Sequence, residues 1–476
     1  MKNEAVICDR EWKIKEECGV FGIIGKEPCD VARKIYFGLF ALQHRGQESA
    51  GIAVSYQRTK VAYYKNLGLV NDVFGDEELK LLPDSKVGVG HVRYSTTGTN
   101  NVVNAQPVVF YGKLGRMALA HNGNVINADK IKYDMMKCGH IFQSSTDSEV
   151  ISARINYRIQ DKNVVDGVIE ACEEFKGAFS LVIMAEERLI AVRDRLGLKP
   201  LVLGQTPEGE YVVASESCAL DAVGAIIVRD IEPGEVLTID TDGNMESRYL
   251  KNIDKKACIF EYVYLARSDS VIDGVSVYDA RYECGRMLAE LYKIDADLVS
   301  GVPDSALVCA KGYSDVSGLP MVDAITKNRY VGRTFIQPSQ SMRENTVSIK
   351  LNAFRNNIKG KRIVLIDDSI VRGTTSKKIV DLLKKNGAKE VHMIIGSPIV
   401  SYPCFFGVDM QTKEQLIGSK LSKDEICKAI GADSLNYIPI EYLKKACGGQ
   451  GFCCACFDGI YPEEVEQEDL DKFMFE

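Results

Sequence analysis

The stretch RIVLIDDSIVRGTTSKKIVDLLKKNGAKEVHMIIGSP, residues 362–398, decides how the second half of this chain folds. An apolar run at 362–366 ends in two adjacent carboxylates, Asp367 and Asp368. A short loop follows, and from about 375 to 385 the apolar residues recur at helical spacing. Asn386-Gly387 supplies the C-terminal stop, and 391–395 reads as the next strand. Strand, helix and strand in that order make a βαβ unit, which predicts a doubly wound α/β domain.

Ligands of open parallel sheets bind beyond the carboxyl ends of the strands. The loop after Asp368 carries Gly373, Thr374, Thr375 and Ser376 into the helix. Backbone N–H groups at a helix N-terminus attract anions, the glycine lets backbone approach, and three hydroxyls add donors. The loop therefore suits a phosphate monoester. The aspartate pair suits ribose hydroxyls or a Mg²⁺ ion. An acidic pair alone is more often a plain turn before a capped helix; the pair, the glycine and the hydroxyl run together select the phosphate site.

Outward from this unit, SGVPDSA (300–306) is a strand entering a loop. KNRYVGRTFIQPSQSMRE (327–344) is basic and polar without strong regular signals, as a solvated surface loop would be. The first 250 or so residues have another texture. KVAYYKNLGLV, KVGVGHVRYST, RMALAHNGNV and GAFSLVIMAEERLIAVRD are strand-rich and end in turns. Two helical segments interrupt them, one over about 30–43 and one starting near Asp147, where Thr146 or Asp147 would cap it. Blocks of strands and helices predict an α+β layered sandwich.

A chain of 476 residues is too long for one ordinary core and predicts two domains. The net charge of −7 argues against nucleic acid or an anionic membrane as the main partner. No apolar run reaches the ~20 residues of a spanning helix. The N-terminal MKNEAVICDREWKIKEE is too charged for a secretory signal, so a cytoplasmic location is expected. In that compartment the fifteen cysteines are expected as reduced thiols, most of them buried in the core, as for Cys172, Cys218 and Cys309.

Two groups of thiols stand apart. Cys18 lies at the start of the strand-like run in EECGVFGIIG (16–25). A cysteine nucleophile needs a base, and none of the five histidines is an obvious one. The alternative base is the nucleophile's own α-amino group, whose pKa of ~7.7–8.0 lets it accept a proton. An amide nitrogen cannot, so Cys18 would gain its base only by cleavage of the Glu17–Cys18 bond, which makes 1–17 a propeptide. The second group is the tail GFCCACFDGIYP, with Cys453-x-x-Cys456, Cys454 between them and Cys447 upstream. A CxxC can bind zinc, form a redox disulfide or hold an iron–sulfur cluster.

The N-terminal half resembles the Ntn-type glutaminase domain of the glutamine amidotransferases. The likeness rests on ECGVFGI, LQHRGQESAGIA, GHVRYSTTG, LAHNGNV, SSTDSE and RDRLGLKPL, in family order. It implies an αββα sandwich with Cys18 as nucleophile. It also implies Arg93 on the glutamine α-carboxylate, Asp147 on the α-ammonium, and Asn122 with Gly123 as the oxyanion hole. The second half resembles the type I phosphoribosyltransferases. Residues 364–376 match their PRPP loop, 300–306 their pyrophosphate loop, and 327–344 the flexible loop that closes over PRPP. That likeness implies Asp367, Asp368, Gly373, Thr374, Thr375 and Ser376 as the PRPP set, with Ser305, Asp367 and Asp368 toward Mg²⁺.

Together the halves resemble the glutamine PRPP amidotransferases, in their propeptide-bearing iron–sulfur class. The resemblance implies transfer of ammonia from glutamine to PRPP, giving 5-phosphoribosylamine, glutamate and pyrophosphate, the first committed step of purine synthesis. It implies a [4Fe-4S] cluster on Cys258, Cys404, Cys453 and Cys456, although Cys447 and Cys454 lie close in sequence and zinc is the alternative metal. It also implies a homotetramer with purine nucleotides as feedback inhibitors. The expected division is 1–17 propeptide, 18–250 glutaminase, 258–446 phosphoribosyltransferase and 447–476 tail. A PRPP-sensing regulator would not need a glutaminase set. A sugar-phosphate amidotransferase would not need the PRPP loop.

Overall fold

The computed structural model describes residues 18–56, 60–94, 101–328, 351–410, 412–449 and 451–465. The leader 1–17, the end of GHVRYSTTG from 95, residues 329–344 of the basic loop and the tail from 466 lie outside the described residues. The chain divides into two compact units. One comprises Glu16–Ala280, Cys404–Gln411 and Cys447–Glu476; the other includes Arg281–Pro403 and Thr412–Ala446.

The first unit holds two antiparallel sheets. The seven-stranded sheet runs Ile226–Asp230, Val202–Gln205, Tyr211–Ala214, Gly19–Cys29, Ser85–Arg93, Ser49–Tyr56 and Lys60–Leu67 in spatial order. The six-stranded sheet runs Met245–Tyr249, Glu235–Asp240, Arg188–Arg193, Gly177–Ala185, Gly115–Val125 and Val108–Gly112. Side chains alternate across each strand, and that alternation builds three apolar layers. Val20 and Ile24 pack with Ala118, Ala120, Val182 and Met184 in the middle layer. Phe21 and Ile23 face the other way, onto Ile35 and Leu39 of the helix Val31–Ala41. Leu181 and Ile183 face Ile131, Met135, Ile151 and Val168 of the helices on the outer side of the second sheet. The result is the expected αββα sandwich. Gly38 lets the first helix sit close: a Cβ there would come 2.2 Å from Phe21 Cε2.

The helices Val31–Ala41 and Asp147–Arg158 form where the pattern predicts them. Two more, Ala128–Lys137 and Val164–Glu174, were not anticipated. The second of these carries Val164, Val165, Val168 and Ile169 with Gly167 in its middle, residues with weak helix propensity. Packing and a cap outweigh that propensity. The Asn163 side chain accepts from Asp166 N at 2.9 Å, and Val164, Gly167, Val168, Ala171 and Cys172 are buried. A Cβ on Gly167 would come 2.2 Å from Ile159 Cγ2, so the glycine is a packing residue.

The contacts divide the chain elsewhere than at the expected boundary of 258. Ala257–Cys258 pairs in parallel with Phe452–Cys453, and Cys258 N donates to Leu198 O at 3.3 Å. Residues 258–280, the segment 404–411 and the tail therefore belong with the first unit. Texture along the chain marked where strands end; it carried no signal for a strand pairing made across nearly 200 residues.

The second unit has a parallel four-stranded sheet, Leu298–Gly301, Arg362–Asp367, Glu390–Ile395 and Ser434–Tyr437 in order. Pairs such as Val299↔Val364, Ile366↔Ile394 and Ile395↔Tyr437 set its register. Ile363–Ile366 and Met393–Ile395 are fully buried, as strands covered on both faces must be. The helix of the βαβ unit is Thr374–Lys385.

Candidate active sites

Cys18 stands immediately before the strand Gly19–Cys29 and is 8% exposed. Gly19 pairs with Val92, so the antiparallel register brings Cys18 opposite Arg93. Its Sγ donates to Tyr94 O at 3.4 Å. Arg93 is buried, 3% exposed, at the end of the same sheet. Two residues back, His91 Nε2 donates to His121 O at 2.9 Å. That bond joins the two sheets and sets the strand carrying Arg93 against the strand carrying Asn122 and Gly123.

Asn122 is 1% exposed, yet neither Oδ1 nor Nδ2 has a hydrogen-bond partner among the described residues. A buried amide left so is costly, by ~1–3 kcal/mol for each lost partner, and calls for a ligand. Gly123 has φ +144, and a Cβ there would meet Ala178 O at 2.0 Å. Asp147 begins its helix and accepts from Val125 N at 3.1 Å, with His121 Nδ1 3.7 Å from its other oxygen. A thiol, a guanidinium, an open amide and a carboxylate thus gather at the strand ends of one sandwich. The set can take an amino-acid amide: one charged group for each charge of its backbone, and an amide beside a glycine for a developing oxyanion.

Three further residues of this site escaped the sequence reading. Arg45 Nε donates to the Cys18 carbonyl at 3.1 Å. Its Nη1 donates to Glu216 at 2.6 Å, and Nη1 and Nη2 donate to Glu261 at 3.0 and 2.8 Å. Arg45 lies inside LQHRGQESAGIA, where a signal existed; Glu216 and Glu261 carry none, because only folding brings them there.

In the second unit the aspartates fall where predicted. Asp367 is the last residue of its strand, and its Oδ1 accepts from Asp368 N at 3.0 Å. Ser305 Oγ donates to Asp368 Oδ2, so the two loops expected at one site meet. Ser369 Oγ donates to the other Asp368 oxygen at 2.6 Å. Gly373 caps the helix in the left-handed region, φ +77, followed by Thr374, Thr375 and the buried Ser376. Four consecutive N–H groups at that terminus have no intrahelical partner and can hold an anion. The carboxylates and Ser305 offer hard oxygen donors for a magnesium ion.

Cys258, Cys404, Cys453 and Cys456 line one cavity of the first unit, walled by Phe260, Phe406, Met410 and Tyr461. Among the described residues no three His, Cys, Asp or Glu side chains are grouped to hold a metal ion as they stand. Burial pushes the Cys453 thiol up to about 12. Burial raises Cys456 too, with Cys258, Cys404, Cys453 and Cys454 adding to it. Such a pocket favours neutral thiols until a cation enters. Four soft donors in an apolar wall fit a thiolate-bound metal centre.

Two family models match the chain, a glutamine amidotransferase domain over 91–222 and a phosphoribosyl transferase domain over 279–395. The chain is similar along nearly its whole length to proteins named amidophosphoribosyltransferase. That of Methanocaldococcus jannaschii is 48% identical over 470 residues, covering 95% of this chain and 99% of the relative. That of Bacillus subtilis is 46% identical over 464 residues, covering 96% of each. A solved structure described as the glutamine PRPP amidotransferase from B. subtilis complexed with ADP and GMP superposes with TM-score 0.88 at 45% identity, covering 95% of this chain and 98% of that one. Another, described as the allosteric regulatory enzyme of purine biosynthesis, gives 0.89 at 45% identity, covering 95% and 97%.

Proposed function

The chain belongs to the amidophosphoribosyltransferase family, and from that premise we infer which of its residues carry the reaction. It is an enzyme that transfers ammonia released from glutamine to PRPP, giving 5-phosphoribosylamine, glutamate and pyrophosphate in purine synthesis. Cys18 attacks the glutamine carboxamide, and its own α-amine, exposed by loss of residues 1–17, takes the thiol proton. Arg93 and Asp147 hold the α-carboxylate and α-ammonium. Asn122 Nδ2 and the Gly123 N–H take the oxyanion of the tetrahedral intermediate. The C–N bond breaks as ammonia leaves with a proton, and water then hydrolyses the γ-glutamyl thioester. The observation that most supports this reading is the open, buried amide of Asn122.

At the second site the N–H groups and hydroxyls of Gly373–Ser376 bind the 5-phosphate. Asp367 and Asp368 hold the ribose hydroxyls, and with Ser305 they would hold Mg²⁺, which neutralises pyrophosphate charge when bound. Ammonia attacks C1 and pyrophosphate leaves. Ammonium cannot attack, so the ammonia is best kept from water until it arrives. Cys258, Cys404, Cys453 and Cys456 would hold a [4Fe-4S] cluster, which would fasten the tail to Ala257–Cys258. Purine nucleotides inhibit this chain, in keeping with a relative solved with ADP and GMP, and we propose a homotetramer as its assembly.

The test is pyrophosphate release from PRPP with glutamine or with ammonia. Cys18→Ala should abolish release with glutamine and spare it with ammonia. The double change Asp367→Ala, Asp368→Ala should abolish both. No release by the parent protein with either donor sinks the reading. Intact mass of protein purified without oxygen tests the base: a chain beginning at Cys18 supports the α-amine, and an active chain retaining 1–17 overturns it.

A further inference from the structure

Arg45 is 1% exposed and sits between two carboxylates that are themselves buried, Glu216 and Glu261. It reaches the nucleophile through backbone: Nε donates to Cys18 O at 3.1 Å. Among the described residues Glu216 has four donors besides Arg45, namely His44 Nε2 at 2.7 Å, Arg267 N at 3.0 Å, Ser270 Oγ at 2.7 Å and Cys218 Sγ at 3.7 Å. Glu261 grips the guanidinium with both oxygens, at 3.0 and 2.8 Å, the fork geometry that fixes a guanidinium plane. Glu261 lies outside both stretches matched by the family models, 91–222 and 279–395.

We propose that Glu261 is a positioning residue for ammonia release: it holds the Arg45 plane so that Nε pins the Cys18 carbonyl. This rests on Cys18 being the nucleophile. Cys18 immediately precedes its strand, and the pairing of Gly19 with Val92 puts the sheet on its carbonyl side. With that carbonyl fixed, rotation about the Cys18 backbone is limited, and the α-nitrogen and Sγ face the substrate together. Released, the same residue samples orientations in which thiol and amine diverge. The carboxylate also offsets the guanidinium charge away from the surface, where both residues are 1% exposed, which keeps Arg45 buried.

The experiment compares Glu261→Ala and Glu261→Gln in the full-length, matured protein, with Cys18→Ala as control. The Ala variant should lose about tenfold or more in glutamine-dependent kcat, because small misplacements of a reacting group are costly. KM for glutamine should stay within about twofold, since Arg93 and Asp147 are untouched, and the ammonia-dependent rate should not change. Gln keeps an acceptor for Arg45 and should recover kcat to within about threefold of the parent. Alkylation of Cys18 by iodoacetamide, read by peptide mass, should slow in the Ala variant and recover in the Gln variant. Unchanged glutamine-dependent kcat in Glu261→Ala, or equal loss with glutamine and ammonia, overturns the proposal. If Glu261→Ala fails to fold, a Gln variant that matches the parent in kcat but not in alkylation rate overturns it too. Glutamine use surviving in Cys18→Ala would instead overturn the assignment of the nucleophile, and this proposal with it.

Discussion

Asn122 is held in the interior with neither end of its amide hydrogen-bonded among the described residues, which is why we propose it as the oxyanion donor. Asn122→Ala should lower glutamine-dependent kcat by about 10²–10³, the usual loss for one oxyanion donor, and leave the ammonia-dependent rate alone. Steady-state rates with the two nitrogen sources check it. His91, on a strand of the other sheet, makes a prediction about pH. Burial holds its pKa at about 3, against ~6.5 for a free imidazole. Between those values the unfolded chain binds a proton that the folded protein refuses. Stability is therefore intact above pH ~6.5 and falls as pH drops toward 3, by at most ~1.4 kcal/mol per pH unit from this residue. The denaturant midpoint should be lower at pH 5 than at pH 7, and the slope shallower in His91→Asn. Residue types and motif order single out Cys18, Arg93, Asn122, Gly123 and Asp147 as candidates before folding. The bond from His91 to His121 that sets their strands together was not, because a histidine in a strand looks the same whichever carbonyl it will find.

Among elements, the βαβ unit was read almost to the residue. Strand 362–366 is Arg362–Asp367, helix 375–385 is Thr374–Lys385, and strand 391–395 is Glu390–Ile395. Its signals are all local: an apolar run, a left-handed glycine and a helical period. Gly373→Ala should impair this unit where it binds. The left-handed backbone costs a side chain roughly 1–2 kcal/mol, and the new Cβ would press on Ile417 Cδ1 at 2.6 Å. KM for PRPP should rise with glutamine and ammonia alike, read from initial rates over a PRPP series. The helix Val164–Glu174 is the opposite case, hidden by β-branched residues and a central glycine. Its cap matters more for that reason: Asn163→Ala should cost about 1 kcal/mol, seen as a lower Tm with both activities retained.

At the scale of the whole molecule, the two-domain plan followed from length and from the change in pattern near 250. The boundary did not. Residues 258–280, 404–411 and the tail join the first unit through contacts such as Ala257 N to Gly451 O at 2.8 Å. That arrangement places four thiols on one cavity. Protein prepared without oxygen should be brown and carry about four irons per chain. Removing that iron should speed amide exchange at 257–258 and 452–453, measured by hydrogen exchange with mass spectrometry. A colourless protein holding zinc would contradict the cluster.

Sequence by itself determined the chemistry available and the local frame that presents it: a thiol at a strand start, an asparagine-glycine pair, a glycine-and-hydroxyl loop at a helix N-terminus. These depend on neighbours a few residues apart, where spacing and residue type dictate conformation directly. Tertiary structure alone decided that Arg45 reaches Cys18, Glu216 and Glu261, the last of them 216 residues away along the chain. It also decided that Cys258 and Cys453 lie side by side on adjacent strands. Contacts over such separations leave no period or spacing in the sequence, because they exist only once sheets have formed and their buried charges must find partners.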